Sequence, residues 1–292
     1  MTESLITTRG LGKTIGRKTI LRDISVDVNP GTVVGLIGKN GAGKTTLMDI
    51  LLGFSPATSG SSRLFGHDSF TLPAAIKGRI GFVPQQDELV NLLTGRQQLA
   101  LTAALHGRWN HDLIERLRAA WDVPFDQIIQ GLSGGERQKL SILQALGHEP
   151  ELLILDEPVA SLDPISRRQF LQEMIEIATG RSRTLLFSTH IVSDLERIAD
   201  QIWIMRDGVI AWAGALDALK ESVVRLTIAS PKPLPATLAL SGAISQRVAG
   251  SRASAVVTQW SEAQGLRLRQ ELDADIEVES LSLEDIFVEF HA

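Results

Sequence analysis

The segment Gly38-Lys39-Asn40-Gly41-Ala42-Gly43-Lys44-Thr45 sets three glycines, a lysine and a hydroxyl residue at the offsets of a loop that holds phosphate. Gly38, Gly41 and Gly43 permit backbone conformations that turn successive N–H groups toward one point, and the helix that follows adds its positive N-terminal end. Lys44 is expected to reach the β- and γ-phosphates of a nucleoside triphosphate as a point charge, the Thr45 hydroxyl to ligate Mg²⁺, and Thr46 to hydrogen-bond an α-phosphate. Further along, Leu152-Leu153-Ile154-Leu155-Asp156-Glu157 is an apolar strand that delivers two carboxylates at its C-terminal end, where open α/β sheets bind ligands. Asp156 is expected to hold Mg²⁺ through its water shell and Glu157 to polarise an attacking water. Two acids at a strand end are ordinarily solvated caps. Downstream of a phosphate loop they read as a hydrolytic centre.

The surrounding pattern is what such a loop requires. Thr32-Val33-Val34-Gly35-Leu36-Ile37 is a short β-rich apolar run of the kind buried on both faces, and a helical pattern runs from Lys44 to Leu52 before Gly53 and Pro56 break it. A glycine turn that binds nothing is a poor competitor in this strand–loop–helix setting. Residues 5 to 28 alternate as strands, most clearly at Ser25-Val26-Asp27-Val28. From about 85 to 147 Leu, Ala, Arg and Gln take over at helical spacing, which predicts an inserted helical subdomain with Trp109 and Trp121 in its core. Strand character returns at 152–155, 184–187 and 202–205 with helices between the first two and the last two, which argues for a mostly parallel sheet. A second shift near Lys220 precedes Pro231, Pro233 and Pro235. The expected division is a catalytic domain over 1–220 and an α+β extension over 221–292 with three short strands and two helices.

With Leu132-Ser133-Gly134-Gly135-Glu136-Arg137-Gln138 added, the chain resembles the nucleotide-binding domains of ATP-binding cassette (ABC) proteins over roughly residues 4 to 220. Val83-Pro84-Gln85 is similar to that family's Q-loop, Ser161-Leu162-Asp163 to its D-loop and Ser188-Thr189-His190 to its switch histidine. The resemblance implies a phosphate-loop core with antiparallel N-terminal strands, ATP and Mg²⁺ as cofactors, and two cassettes packed head to tail around shared nucleotides. Gln85 is then expected to touch Mg²⁺ or the water, His190 to bond the γ-phosphate and hold Glu157, and Asp163 to sense the opposite site. Ser133, Gly134 and Gly135 offer a hydroxyl and bare N–H groups at a helix start, an anion site that needs a phosphate from a partner. Where the family carries an adenine-stacking aromatic this chain has Ile15, and it has no Tyr at all. An aliphatic side chain covers a base by dispersion alone, so weak discrimination between ATP and GTP is expected, with Arg17 as a partial substitute.

Composition narrows the load that hydrolysis drives. A net charge of −5 gives no positive field for nucleic acid, and the absence of cysteine excludes disulfides and thiolate chemistry. No apolar run long enough to span a membrane and no signal-peptide pattern is present, so the expected location is cytoplasmic, on the inner face of the cell membrane through a separate permease subunit. The tail, which ends in Leu283-Glu284-Asp285-Ile286-Phe287, resembles those of bacterial exporter cassettes, and it serves equally as a dimerisation or packing element. An exporter subunit is the leading expectation, with an importer cassette and a soluble family ATPase as alternatives. A symmetric pair of this chain would hold two complete sites, so a second copy is the expected cassette partner.

Overall fold

The structure, a computed structural model, describes residues 4–181 and 183–291. The chain divides into two compact units, one ending at Ile210 and one beginning at Ala211. The composition shift at 220 lies ten residues beyond this division, which falls inside a strand.

In the first unit, β1 (Ile6–Ile15) and β2 (Lys18–Val28) pair antiparallel, with Ile15 opposite Lys18 across the Gly16-Arg17 turn. Leu21, Ile24, Val26 and Val28 face inward, and the extra residue between Leu21 and Ile24 is absorbed where Asp23 takes a left-handed φ of 49°. β3 (Val33–Ile37) is buried at every residue, as its unbroken apolar run requires. The phosphate loop then leads into α1 (Lys44–Leu51). β4 (Ser59–Leu64) and β5 (His67–Asp68) complete an antiparallel sheet ordered β2-β1-β4-β5. After α2 (Ala74–Lys77) and β6 (Ile80–Val83) comes the helical insertion: α3 (Gly95–Leu105), α4 (His111–Trp121) and α5 (Gly134–Leu146). The chain returns through β7 (Leu152–Asp156), α6 (Pro164–Arg181), β8 (Thr184–Thr189), α7 (Val192–Leu195), β9 (Gln201–Arg206) and β10 (Val209–Ala215). The main sheet has the order β10-β9-β3-β8-β7-β6, and its four inner pairings are parallel. One core cluster joins the two sheets through α1, setting Leu47, Met48 and Leu51 against Leu11 and Ile24 on one side and Ile154 and Leu186 on the other.

The insertion is held by its own caps and core. Thr94 and Gln97 form a reciprocal capping box on α3, Asn110 caps α4, and Ser133 with Glu136 forms a second box on α5. Trp121 is buried beside Phe170, while Trp109 is half-buried with its indole against Gly147, where a Cβ would lie 2.3 Å from the ring. Past the end of α5, the buried His148 ring meets the Ile80 carbonyl through Nε2 at 3.0 Å and stacks on His106 at 4.1 Å.

The second unit comprises α8 (Leu216–Ser222), β11 (Val224–Ala229), β12 (Ala243–Ala249), β13 (Arg252–Val257), α9 (Glu262–Leu272), β14 (Asp275–Ser280) and α10 (Leu283–Phe290). Its antiparallel sheet is ordered β12-β13-β11-β14 and buries Leu226, Ile228, Ala253 and Ile276 on one face. The three prolines lie in the irregular connection from β11 to β12, and Ser282 caps α10 by accepting from the Asp285 N–H. β12 is a strand that sequence periodicity does not reveal. It is an edge strand, and its residues are nowhere fully buried.

His148 gives the first unit a pH-dependent stability. Burial, followed by the neighbouring His106, pushes its pKa down from 6.5 to about 4. The unfolded chain therefore takes up a proton as pH falls through 6.5 while the folded chain does so only near 4, and stability declines across that window. Replacing His148 with Gln should flatten the fall in thermal unfolding midpoint between pH 6.5 and 4.5; an unchanged slope would assign it to other groups.

Candidate functional site

The C-terminal ends of β3, β7 and β8 lie side by side, and Lys44, Asp156, Glu157 and His190, at or just beyond those ends, are linked there. Gly43 precedes α1 with φ of 108°, and a Cβ on it would lie 2.7 Å from Leu21. Gly38 leaves β3 where a Cβ would stand 2.6 Å from the Met205 carbonyl. These two positions admit only glycine, one for conformation and one for space. Behind the loop, Lys44 is buried at 6% exposure and donates from Nζ to the Gly38 carbonyl at 2.8 Å.

The acids expected to work with it are placed around it. Asp156 Oδ2 accepts from the Thr45 hydroxyl at 2.7 Å and Oδ1 from the Ser188 hydroxyl at 2.5 Å. Glu157 is 4% exposed, its Oε1 lies 3.5 Å from Lys44 Nζ, and its Oε2 lies 2.7 Å from His190 Nδ1. The Glu157 backbone takes a left-handed φ of 51°, uncommon for a non-glycine residue, and its N–H donates to Ser188 Oγ at 2.9 Å. That turn lets two consecutive residues, one at the end of β7 and the next beyond it, aim both carboxylates at the phosphate loop. Burial, and then the nearby Asp156 carboxylate, raise the pKa of Asp49 on α1.

A cavity of about 360 Å³ opens over the loop, and Asn40, Gly41, Gly43, Lys44, Thr45, Thr46, Gln85, Asp156 and Glu157 line it. Gln85, Thr45 and Asp156 present hard oxygen donors on one side of it, a set suited to Mg²⁺, which keeps waters and phosphate oxygens among its ligands. Among the described residues no cluster of three His, Cys, Asp or Glu side chains forms a cage for a transition metal. Lys39 and Ala42 belong to the loop without facing the cavity, and Ala42 is buried.

Three expected contributors stand elsewhere. Ser133 and Gly134 are exposed at the start of α5 and outside this cavity, with Gly135 beside them; a Cβ at Gly135 would lie 3.3 Å from the Ser161 carbonyl. The Ser133 hydroxyl and N–H both donate to Glu136, whose carboxylate they hold below its usual pKa range. Asp163 caps α6, accepting from the N–H groups of Ile165 and Ser166, and these hydrogen bonds, the Ser166 ones foremost, lower its pKa. Ile15 is 58% exposed at the hairpin end and is not among the residues that line the cavity. Lys18 and Ile20, on one face of β2 beyond the turn, line it instead, and Arg17 does not. The period-two register of β2 was the available signal, because residues 18 and 20 necessarily share a face.

The cavity, the paired acids and the exposed serine–glycine helix start agree with what comparison shows. The model of the family described as ABC transporter matches residues 21–160. The bacitracin transport ATP-binding protein BcrA of Bacillus licheniformis is 32% identical over 220 residues, 75% of this chain and 72% of that protein. This chain belongs to the ABC transporter ATP-binding proteins. The hypophosphite import ATP-binding protein HtxD of Stutzerimonas stutzeri is 35% identical over 70% of this chain and 65% of its own length. A solved structure described as the ATP-binding subunit of an ABC transporter superposes with a TM-score of 0.68 at 28% identity, covering 75% of this chain and 92% of that one. The cassette is accordingly an ATPase with the phosphate-loop fold read from its sequence.

The lining of the cavity yields a direct test of where the base and ribose rest. Ile20→Ala should raise the KM for ATP several-fold, and Lys18→Ala should do so with a stronger dependence on salt, whereas Ile15→Ala should stay within about two-fold of the parent. Steady-state ATPase assays decide it, and a large effect confined to Ile15 would contradict this placement.

Proposed function

We propose that this cassette is the ATP-hydrolysing subunit of a bacterial exporter, acting as one of a pair of cassettes on a separate transmembrane subunit. The observation that carries the paired reading is the split of the nucleotide machinery. Lys44, Asp156 and Glu157 line one cavity and His190 is hydrogen-bonded to Glu157, while the helix start of α5 at Ser133–Gly135, suited to an anion, is not part of that lining. Two chains arranged head to tail give each cavity the other's helix start, whose N–H groups and positive dipole end suit a γ-phosphate.

Within one such site the roles follow from the contacts. The backbone N–H groups of residues 38–45 and the Lys44 ammonium hold the phosphates, and Thr46 bonds the α-phosphate. Thr45, Gln85 and Asp156 would hold Mg²⁺, which when bound would supply positive charge to the phosphates. Glu157 accepts a proton from the water as its oxygen bonds the γ-phosphorus and the bridging β–γ oxygen leaves with ADP. His190, hydrogen-bonded to the same carboxylate, fixes that orientation. Asp163 acts indirectly, since it shapes the first turn of α6 beside the signature.

The link to a membrane partner is supported by the segment after Gln85. Asp87 receives a two-pronged guanidinium from Arg137 on α5, at 2.9 and 2.5 Å, and Arg137 also donates to Asn91 and to the Ile129 carbonyl. The Asp87 carboxylate therefore faces α5 and is not a free acid waiting for a partner helix. It ties the residues that follow Gln85 to the helix that begins at Ser133, so a push on one moves the other. Outward this segment offers Gln86, Glu88 and Asn91 together with apolar side chains: Val90 and Leu92 are 45% and 81% exposed, with Ile128 at 52%. Export is favoured by the similarity to the bacitracin transport protein together with the strand–helix tail; the hypophosphite import protein keeps import as the alternative. The place of action is the inner face of the cell membrane.

Two experiments check these assignments. Glu157→Gln should keep ATP binding, lower turnover by at least about 100-fold and accumulate an ATP-bound dimer, and a parental rate would remove Glu157 from its role. Leu92→Asp should leave the ATPase of the isolated chain within about two-fold while abolishing co-purification with a membrane subunit; retained co-purification would place the docking surface elsewhere.

A further inference from the structure

We infer that Ser188 is a positioning residue for hydrolysis, its one hydroxyl holding Asp156 and Glu157 in fixed orientations relative to each other; the inference rests on the roles given to those two acids above. β8 is apolar through Leu185-Leu186-Phe187 and changes to a hydroxyl at Ser188, which is fully buried. In the parallel pairing of β7 with β8, Ser188 stands opposite Asp156. A hydroxyl buried this completely costs stability unless it is hydrogen-bonded, and a residue that only filled the core would be apolar here, as Leu186 is on the same face. The contacts of Ser188 go to the site. Its hydroxyl donates to Asp156 Oδ1 at 2.5 Å and accepts from the Glu157 N–H at 2.9 Å, a proton shared with the Ser188 carbonyl at 3.2 Å.

The two contacts do different things. A carboxylate bound through one oxygen is still free to swing about its Cβ–Cγ bond. Asp156, almost fully buried, is bound through both, with Thr45 on Oδ2 and Ser188 on Oδ1, so Oδ2 stays beside the hydroxyl expected to ligate Mg²⁺. Glu157 is gripped at both ends by one segment. Ser188 takes its N–H, and two residues later His190 takes its Oε2 through the backbone N–H at 3.3 Å and Nδ1 at 2.7 Å. The left-handed φ of 51° at Glu157 requires such support, since a non-glycine residue is held in that region only by its surroundings.

Thr45 reaches Asp156 and Lys44 reaches Glu157, whereas Ser188 contacts both. Because its proton is given to a carboxylate, the Ser188 oxygen is a stronger acceptor for the Glu157 N–H, and loosening one acid loosens the other. Ser188 is not among the residues that line the cavity and acts only through these acids.

Variants at Ser188 in the full-length chain test this, with thermal unfolding recorded alongside. Ser188→Ala should lower kcat by about 10-fold or more and leave KM for ATP within about two-fold, because the phosphates remain on the loop N–H groups and Lys44. Calorimetry with the non-hydrolysable β,γ-imido analogue of ATP should show its Mg²⁺ complex binding about five-fold more weakly and the metal-free analogue changed by about two-fold or less. Ser188→Thr, which keeps the hydroxyl at a strand position, should restore kcat to within about three-fold of the parent. Where Ser188→Ala folds poorly, Ser188→Cys, of similar volume and a weak donor, takes its place in the comparison. Parental kcat and Mg²⁺-complex binding in Ser188→Ala, losses that Ser188→Thr does not restore, or equal weakening with and without Mg²⁺ would each overturn the inference. Glu157→Gln keeps the two levels apart. A parental rate in that chain removes the reading on which the inference rests, while lost turnover there beside parental behaviour in Ser188→Ala overturns the role of Ser188 alone.

Discussion

A chain of polar contacts with a buried centre, from the exposed Thr45 through Asp156 and Ser188 to Glu157 and on to Lys44 and the exposed His190, is the constraint around which the first unit is organised. Its members come from α1, from the ends of β7 and β8, and from the residues just past them. Buried acids and a buried ammonium are tolerable only when each is paired and hydrogen-bonded, and removing one partner strands the others. That demand fixes the relative heights of three strands. It also explains the left-handed backbone at Glu157, which spends conformational energy so that adjacent residues present both carboxylates to the same loop.

The apolar strands exist to deliver these groups. β3 and β7 are buried at every position, and β8 likewise, so each strand is anchored by packing on both faces before its end reaches the site. Short parallel strands anchored in this way slide little, and hydrogen bonds of 2.5 to 2.9 Å between Asp156, Ser188 and the Glu157 N–H depend on that rigidity. The more adaptable parts are hung from this frame. Gln85 follows β6 at the sheet's edge, and the segment beyond it is clipped to α5 by Arg137, so nucleotide chemistry and the exposed apolar patch at Val90 and Leu92 share one mechanical connection.

Much of the first unit was legible because its motifs are local. The phosphate loop, the acid pair after an apolar strand and the serine–glycine signature are contiguous, and their chemistry follows from residue type and spacing. The family comparison supports the same fold. Less legible were features that depend on partners distant in the chain. Ile15 was expected at the base because it aligns with an aromatic position, whereas Lys18 and Ile20, which line the cavity, belong to no motif that singles them out. The pairing of Asp87 with Arg137, fifty residues later, leaves no trace in either segment alone. β12 escaped notice because an edge strand needs no buried alternation.

By itself the sequence determined the ATPase family and pointed to its chemistry: a triphosphate on backbone N–H groups, hard oxygen donors that suit Mg²⁺, a carboxylate for water, and a helix start suited to an anion. Those are properties of short segments, set by glycine conformational freedom, by charge and by helix ends. Tertiary structure alone decided which of these groups meet. It brought Lys44, Asp156 and Glu157 to one cavity, set His190 against Glu157, and left Ser133 to Gly135 outside the cavity. The physical reason is that contact between residues far apart in the chain is set by strand order and register, which arise from the packing of the whole core and are written in no single segment.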